Sequence, residues 1–165
     1  MSIRDRIWYD LVETRVGEEY LTLYLNRIKA RRKWYKVALV VFSTSGALGW
    51  SISENYPSIV CAVIAITQLT EKVQNHFIMS DDDFSKLGQY RVRYVEKYNS
   101  LEKLWYELDL EKINETEALE RFYTIRTDSC ELEAIDNSLD LPEAKELAIK
   151  AEEIANNYII NRNYG

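Results

Sequence analysis

The chain has 165 residues, with 21 Lys+Arg against 27 Asp+Glu, a net charge of −6 and a mean hydropathy of −0.34. Those averages describe an acidic soluble domain of a size that buries one core. Five Gly and two Pro exclude collagen, glycine-rich linkers and most turn-dense β folds, while two cysteines (Cys61 and Cys130) and a lone His76 exclude a disulfide scaffold, a Cys-based zinc site and a His-pair metal centre.

The first 34 residues carry apolar side chains at three- and four-residue spacing: Ile7, Trp8, Leu11, Val12, Val16, Tyr20, Leu23, Tyr24 and Ile28. This spacing predicts an amphipathic helix, running on into the segment that follows and packing against the C-terminal helices in preference to lying flat on a membrane. It ends in a basic collar, Lys29, Arg31, Arg32, Lys33 and Lys36.

Charge then almost disappears. From Val37 to Thr70 Glu54 alone is charged, between the neutral runs Val37–Ser53 and Asn55–Thr70. Each run makes roughly 25 Å of helix, slightly short of a bilayer core of about 30 Å. The flanks extend it: Trp34, Tyr35, Trp50 and Tyr56 are placed as aromatic anchors, and Lys36 reaches headgroups along its stem. Ser53–Pro57 supplies a polar turn, with Pro57 suited to the first turn of a helix. The expectation is a two-helix transmembrane hairpin over 35–78, with spans about 35–53 and 56–72. The alternative is a buried hairpin inside a soluble bundle, but buried hairpins seldom stay charge-free all round in two successive segments. Basic residues crowd the collar and are missing from the loop, so both termini are expected in the cytoplasm.

Residues 79–165 read as a cytoplasmic helical bundle. Ser80-Asp81-Asp82-Asp83 matches a capping box opening a helix over 81–113. Its seam is Phe84, Leu87, Arg91, Tyr94, Tyr98, Leu101, Trp105, Leu108 and Lys112, a coiled-coil-like heptad. Asn114, with Glu117 three residues on, begins a helix over 115–137. Pro142 opens the last, over 142–162, with Ala144, Leu147, Ala148, Ala151, Ile154, Ala155 and Tyr158 on one face. The fold class is therefore an all-α membrane protein. Residues 1–36 hold nine basic and five acidic groups, net +4; residues 113–155 hold four and twelve, net −8. The acidic helices read as a solvated face kept away from anionic lipid, or as a surface docking on the collar of another chain.

No pattern points to catalysis, a cofactor or a metal: there is no glycine-rich phosphate loop, and His76 is the one imidazole. Asp81, Asp82 and Asp83 diverge in direction at a helix start and read as a cap. Two helices cannot enclose a water path, so a pore requires a homo-oligomer, tetramer or larger. Ser45, Gly49 and Ser53 repeat as small residues four apart, permitting close helix approach. Thr67, Gln68, Glu71 and Asn75 put a polar arc at the inner end of the second span. With Ser45 and Gly49 they are the candidate pore lining, a Glu71 ring favouring cations; otherwise the arc is the headgroup-level end of the helix. Arg91 is a charge within an apolar seam, so it sets register by pairing with an acidic neighbour, or joins Tyr90, Arg93 and Tyr94 in binding a nucleotide through phosphate pairing and base stacking.

The collar Lys29–Lys36, the Ser/Gly-bearing first span, the tight hairpin and the long helices after it together resemble the SLATT family of bacterial two-transmembrane effectors. The resemblance implies a pore effector of the bacterial inner membrane acting in anti-phage defence by depolarisation and growth arrest. It further implies control by a nucleotide or oligonucleotide from a partner nucleotidyltransferase, without fixing whether that ligand opens or closes the pore. The rival is a membrane-anchored interaction protein whose hairpin only tethers the bundle.

Overall fold

The structure is a computed structural model and describes residues 2–52, 65, 79–129 and 144–163, with side chains described through Val41 in the first stretch and Asn161 in the last. The described residues are helical and contain no strand. Their helices are α1 (Ile3–Ile52), α2 (Asp81–Asp109), α3 (Glu115–Asp128) and α4 (Lys145–Asn163). Among the described residues no helix is long and apolar enough to cross a membrane. The expected second span, at 56–72, lies outside them apart from Ala65, and the expected first span forms the distal part of α1.

Residues 1–25 and 82–165 form one compact unit, and residues 26–81 a second, so the boundary falls inside α1. The first part of α1, Met1–Leu25, is thus a member of the helical unit. Within this unit Ile7 and Leu11 of α1 pack with Tyr98, Leu101 and Leu104 of α2, Ala118 and Phe122 of α3, and Ile159 of α4. Fully burying each large side chain here contributes about 1.5–3 kcal/mol. Trp8 and Trp105 add a tilted aromatic pair with centroids 5.2 Å apart.

The buried positions of α1 are Ile7, Leu11, Thr14, Glu18, Leu21, Leu25 and Ile28. Spaced alternately by four and three, they make a regular heptad seam. It departs from the sequence expectation: Val16, Tyr20, Leu23 and Tyr24 are only half-buried, while Thr14 and Glu18 go inside. Thr14 is satisfied by donating from Oγ1 to the Asp10 carbonyl at 2.6 Å. Gly17 permits close approach of α2, since a Cβ there would run into the Tyr94 ring.

Helix α2 stops at Asp109, four residues before the expected end. Glu111 takes a left-handed φ of 53°. Its N–H donates to the Leu108 carbonyl at 3.1 Å, and the Lys112 N–H to the Glu107 carbonyl at 2.9 Å, the paired bonds of a Schellman motif. Asn114 then caps α3 by accepting from the Glu117 N–H at 2.9 Å. Helix α3 ends at Asp128 with Ser129 as its C-cap; residues 130–137 of the expected helix, and 142–143 of the last one, lie outside the described residues. Ala151, Ala155 and Ile159 bury the inner face of α4, and the Ala144 N–H before it donates to Tyr20 Oη at 3.3 Å.

Candidate functional site

Two clusters of charge stand out, one in each unit. The first is the collar. Arg31, Lys33 and Lys36 are exposed, as are Arg27 and Lys29 one to two turns earlier. Arg32 behaves differently. Its guanidinium donates from Nη2 to the carbonyls of Met79 and, at 2.8 Å, Ser80, and from Nη1 to Asp81 Oδ1 at 2.7 Å. Arg32, ahead of the expected hairpin at 35–78, therefore grips the backbone just after it, at the entry to α2. The two carbonyls and the Asp81 carboxylate are all acceptors, and a cation with five N–H groups is well matched to bridge them. Within the collar Trp34 is 73% exposed, and beyond it Val37, Val40 and Val41 are exposed too, giving α1 an apolar surface on successive turns.

The second cluster lies between α1, α2 and α4. Arg15 donates to Glu18 Oε2 and Glu19 Oε1, both at 2.6 Å. Its guanidinium lies 4.1 Å from the ring centroid of Tyr158 and 5.4 Å from that of Tyr98. Arg91 Nε donates to Thr22 Oγ1 at 2.8 Å, and its Nη2 lies 3.5 Å from Glu18 Oε1. Glu18 therefore takes a cation on each side while its side chain is only 8% exposed. Such burial demands paired charge.

This geometry separates the four residues of the candidate ligand site. Tyr90 is buried, edge-on to Tyr94 with centroids 5.2 Å apart, and their hydroxyls are 3.5 Å from each other. Arg91 is engaged by α1. Arg93, two residues on and so about 200° around the helix, pairs instead with Glu96 at 3.3 Å. It lines a cleft of about 230 Å³ between α2 and α3 with Lys97, Ser100, Ile125, Asp128 and Ser129. Of the candidate set, Arg93 is the member that lines this cleft.

The candidate pore lining cannot be placed in the same way. Ser45 and Gly49 lie on the distal part of α1, beyond the described side chains, and Thr67, Gln68, Glu71 and Asn75 lie outside the described residues. Among the described residues no group of three or more His, Cys, Asp or Glu side chains is arranged to hold a metal ion.

The sequence reading missed Arg15, Glu18 and Thr22. A signal for them exists in hindsight: Thr14 and Glu18 continue the 7–11–14–18–21–25–28 heptad that apolar counting breaks. Comparison of the chain with protein-family models, curated proteins and solved structures gives no match.

Proposed function

We propose that this chain is an oligomeric membrane pore effector of bacterial anti-phage defence. In this reading residues 35–78 are a hairpin in the inner membrane, both termini and the helical unit are cytoplasmic, and a nucleotide or oligonucleotide from a partner nucleotidyltransferase controls conduction. The observation that carries the membrane half is the Arg32 clasp. It ties Arg32, ahead of the expected hairpin, to residues 79–81 after it, so the chain leaves and returns at one level, beside a cluster of exposed cations. The exposed apolar turns at Trp34, Val37, Val40 and Val41 support it further, since such a surface is costly in water and favourable in hydrocarbon.

The nucleotide half rests on the likeness of layout to SLATT effectors. Arg91 is turned towards Thr22 and Glu18 of α1, so the phosphate contact is assigned to Arg93, which lines the cleft with Lys97 one turn away.

Expression in a bacterial cell with a membrane-potential dye tests the pore. Depolarisation, with or without the nucleotidyltransferase, is expected; intact potential in both conditions refutes conduction. A Glu71→Gln variant is expected to lower cation preference, read as a shifted reversal potential. Crosslinking in membranes is expected to give multiples of 19.4 kDa. Carbonate extraction reads the hairpin separately, because an inserted chain stays in the pellet.

A further inference from the structure

Between residues 20 and 53 there are six basic residues, Arg27, Lys29, Arg31, Arg32, Lys33 and Lys36, and no acidic one. Arg32 is committed to Met79, Ser80 and Asp81. The other five are exposed, and among the described residues none of them makes an ion pair. Elsewhere the arginines are largely matched: Arg4 to Asp109, Arg15 to Glu18 and Glu19, Arg121 to Glu107 and Glu117, and Arg126 to Asp10. Apart from Arg32, the collar is a local charge excess without counter-charge among the described residues.

At about 100° per residue, Arg27 and Arg31 fall on one side of the helix and Lys29, Lys33 and Lys36 on the opposite side. A flat protein partner reaches one of these sides. A medium that surrounds the helix reaches both. The collar also holds Trp34, 73% exposed, and abuts Val37, 45% exposed. An acidic protein surface would neutralise the cations and leave this apolar step in water; a lipid layer meets both, phosphates beside the cations and acyl chains beside Val37.

We propose that the collar is a binding site for anionic phospholipid headgroups, with Arg31, Lys33 and Lys36 contacting phosphates and Arg27 and Lys29 acting through the surface potential. The proposal rests on the hairpin reading for the depth of the collar and adds to it a lipid selectivity that a neutral bilayer cannot satisfy. Attraction to an anionic leaflet is worth roughly fivefold per cation, so three contacting cations supply about a hundredfold preference.

The full chain, purified in mild detergent, is diluted into vesicles of phosphatidylcholine alone or with 30% phosphatidylglycerol, chosen as the probe, and association is measured by flotation. Preference for the anionic vesicles of at least tenfold is expected at about 0.1 M salt and near onefold at 1 M, where screening shortens to about 3 Å. The triple variant Arg31→Gln/Lys33→Gln/Lys36→Gln is expected to lose the preference. The charge-conserving Arg31→Lys/Lys33→Arg/Lys36→Arg is expected to keep it, which separates charge from misfolding. Equal association of the wild-type chain with both vesicles overturns the proposal, as does a preference that survives in the Gln variant. Tight binding to polyuridylate without lipid preference assigns the collar to nucleic acid and also overturns it. So do crosslinked oligomers that the Gln variant abolishes without any lipid preference, which assign the collar to the acidic helices of a second copy. Carbonate-resistant insertion into neutral vesicles reads the hairpin alone: insertion without anionic preference refutes the lipid site and spares the hairpin, and anionic binding that carbonate removes does the reverse.

Discussion

Glu18 shows how a charged side chain becomes part of a core. It occupies a seam position between Thr14 and Leu21, and its two oxygens are held by Arg15 of its own helix and Arg91 of α2. The two cations are not equivalent. The Arg15 side chain is 16% exposed, bonded at 2.6 Å and flanked by two tyrosine rings, whereas Arg91 is 41% exposed and 3.5 Å away. Truncation of Glu18 to Ala is therefore expected to cost about 3 kcal/mol, because it strands a largely buried guanidinium with only Glu19 as counter-charge. Arg91→Ala is expected to cost no more than about 1 kcal/mol, since solvent screens that pair. Denaturant melting of the helical signal in mild detergent compares the two. Equal losses would show that Arg91, not Arg15, holds Glu18 in place.

At the scale of elements, the helix ends are set by short-range chemistry. The Schellman turn after α2 places Glu111 at φ 53°, a conformation that costs a side chain with a Cβ about 1–2 kcal/mol. Glu111→Gly is expected to stabilise the chain by about 0.5–1 kcal/mol, the relief exceeding the added unfolded-state entropy; a higher denaturant midpoint checks it. The start of α1 is closed by a reciprocal cap, the Ser2 N–H donating to Asp5 Oδ2 at 2.9 Å and the Asp5 N–H to Ser2 Oγ at 3.1 Å. Those bonds hold the Asp5 carboxyl below its ordinary pKa, the Ser2 backbone N–H being the largest cause. A carboxylate lowered on folding stabilises the cap above the ordinary carboxylate range and loses that contribution as pH falls through its folded value. Amide exchange in the first turn of α1 should therefore quicken, relative to the rest of the helix, as pH drops below about 4. Asp5→Asn should abolish that dependence.

For the whole molecule, the decisive question under the proposed membrane reading is whether the segment between Arg32 and Met79 conducts or only anchors. Replacing both expected spans by an unrelated hairpin, with Arg32 and residues 79–81 retained, keeps the clasp and changes the lining. A pore loses growth arrest under this exchange; a tether retains it. The same design separates two contributions of the collar, since Arg32 serves the clasp while Arg31, Lys33 and Lys36 remain on the surface.

How much of this was legible in the chain divides by the range of the forces involved. Helical periodicity, the Asn114 cap and the uneven distribution of charge depend on neighbours within a few residues, so the alphabet of residue types was enough to read them. The inner face of α4 followed for the same reason, its alanines recurring at helical spacing. The seam of α1 did not. Apolar counting placed Val16, Tyr20 and Leu23 inwards, but Thr14 and Glu18 occupy the interior, Thr14 bonded to the Asp10 carbonyl of its own helix and Glu18 paired with Arg15 beside it and with Arg91 of α2. One of these, Arg91, is joined to α1 through Thr22, 69 positions away in sequence. Likewise Tyr90, Arg91, Arg93 and Tyr94 looked like one basic-aromatic site while they were neighbours in a string; packing of α1 on α2 buried the first, turned the second towards Thr22 and Glu18 and left Arg93 on a separate cleft. Local hydrogen bonding and side-chain periodicity set which segments are helices. Which face a helix buries, and which of its charges stays available, was decided by long-range pairing, because burying a charge is tolerable only where the fold brings a counter-charge to meet it.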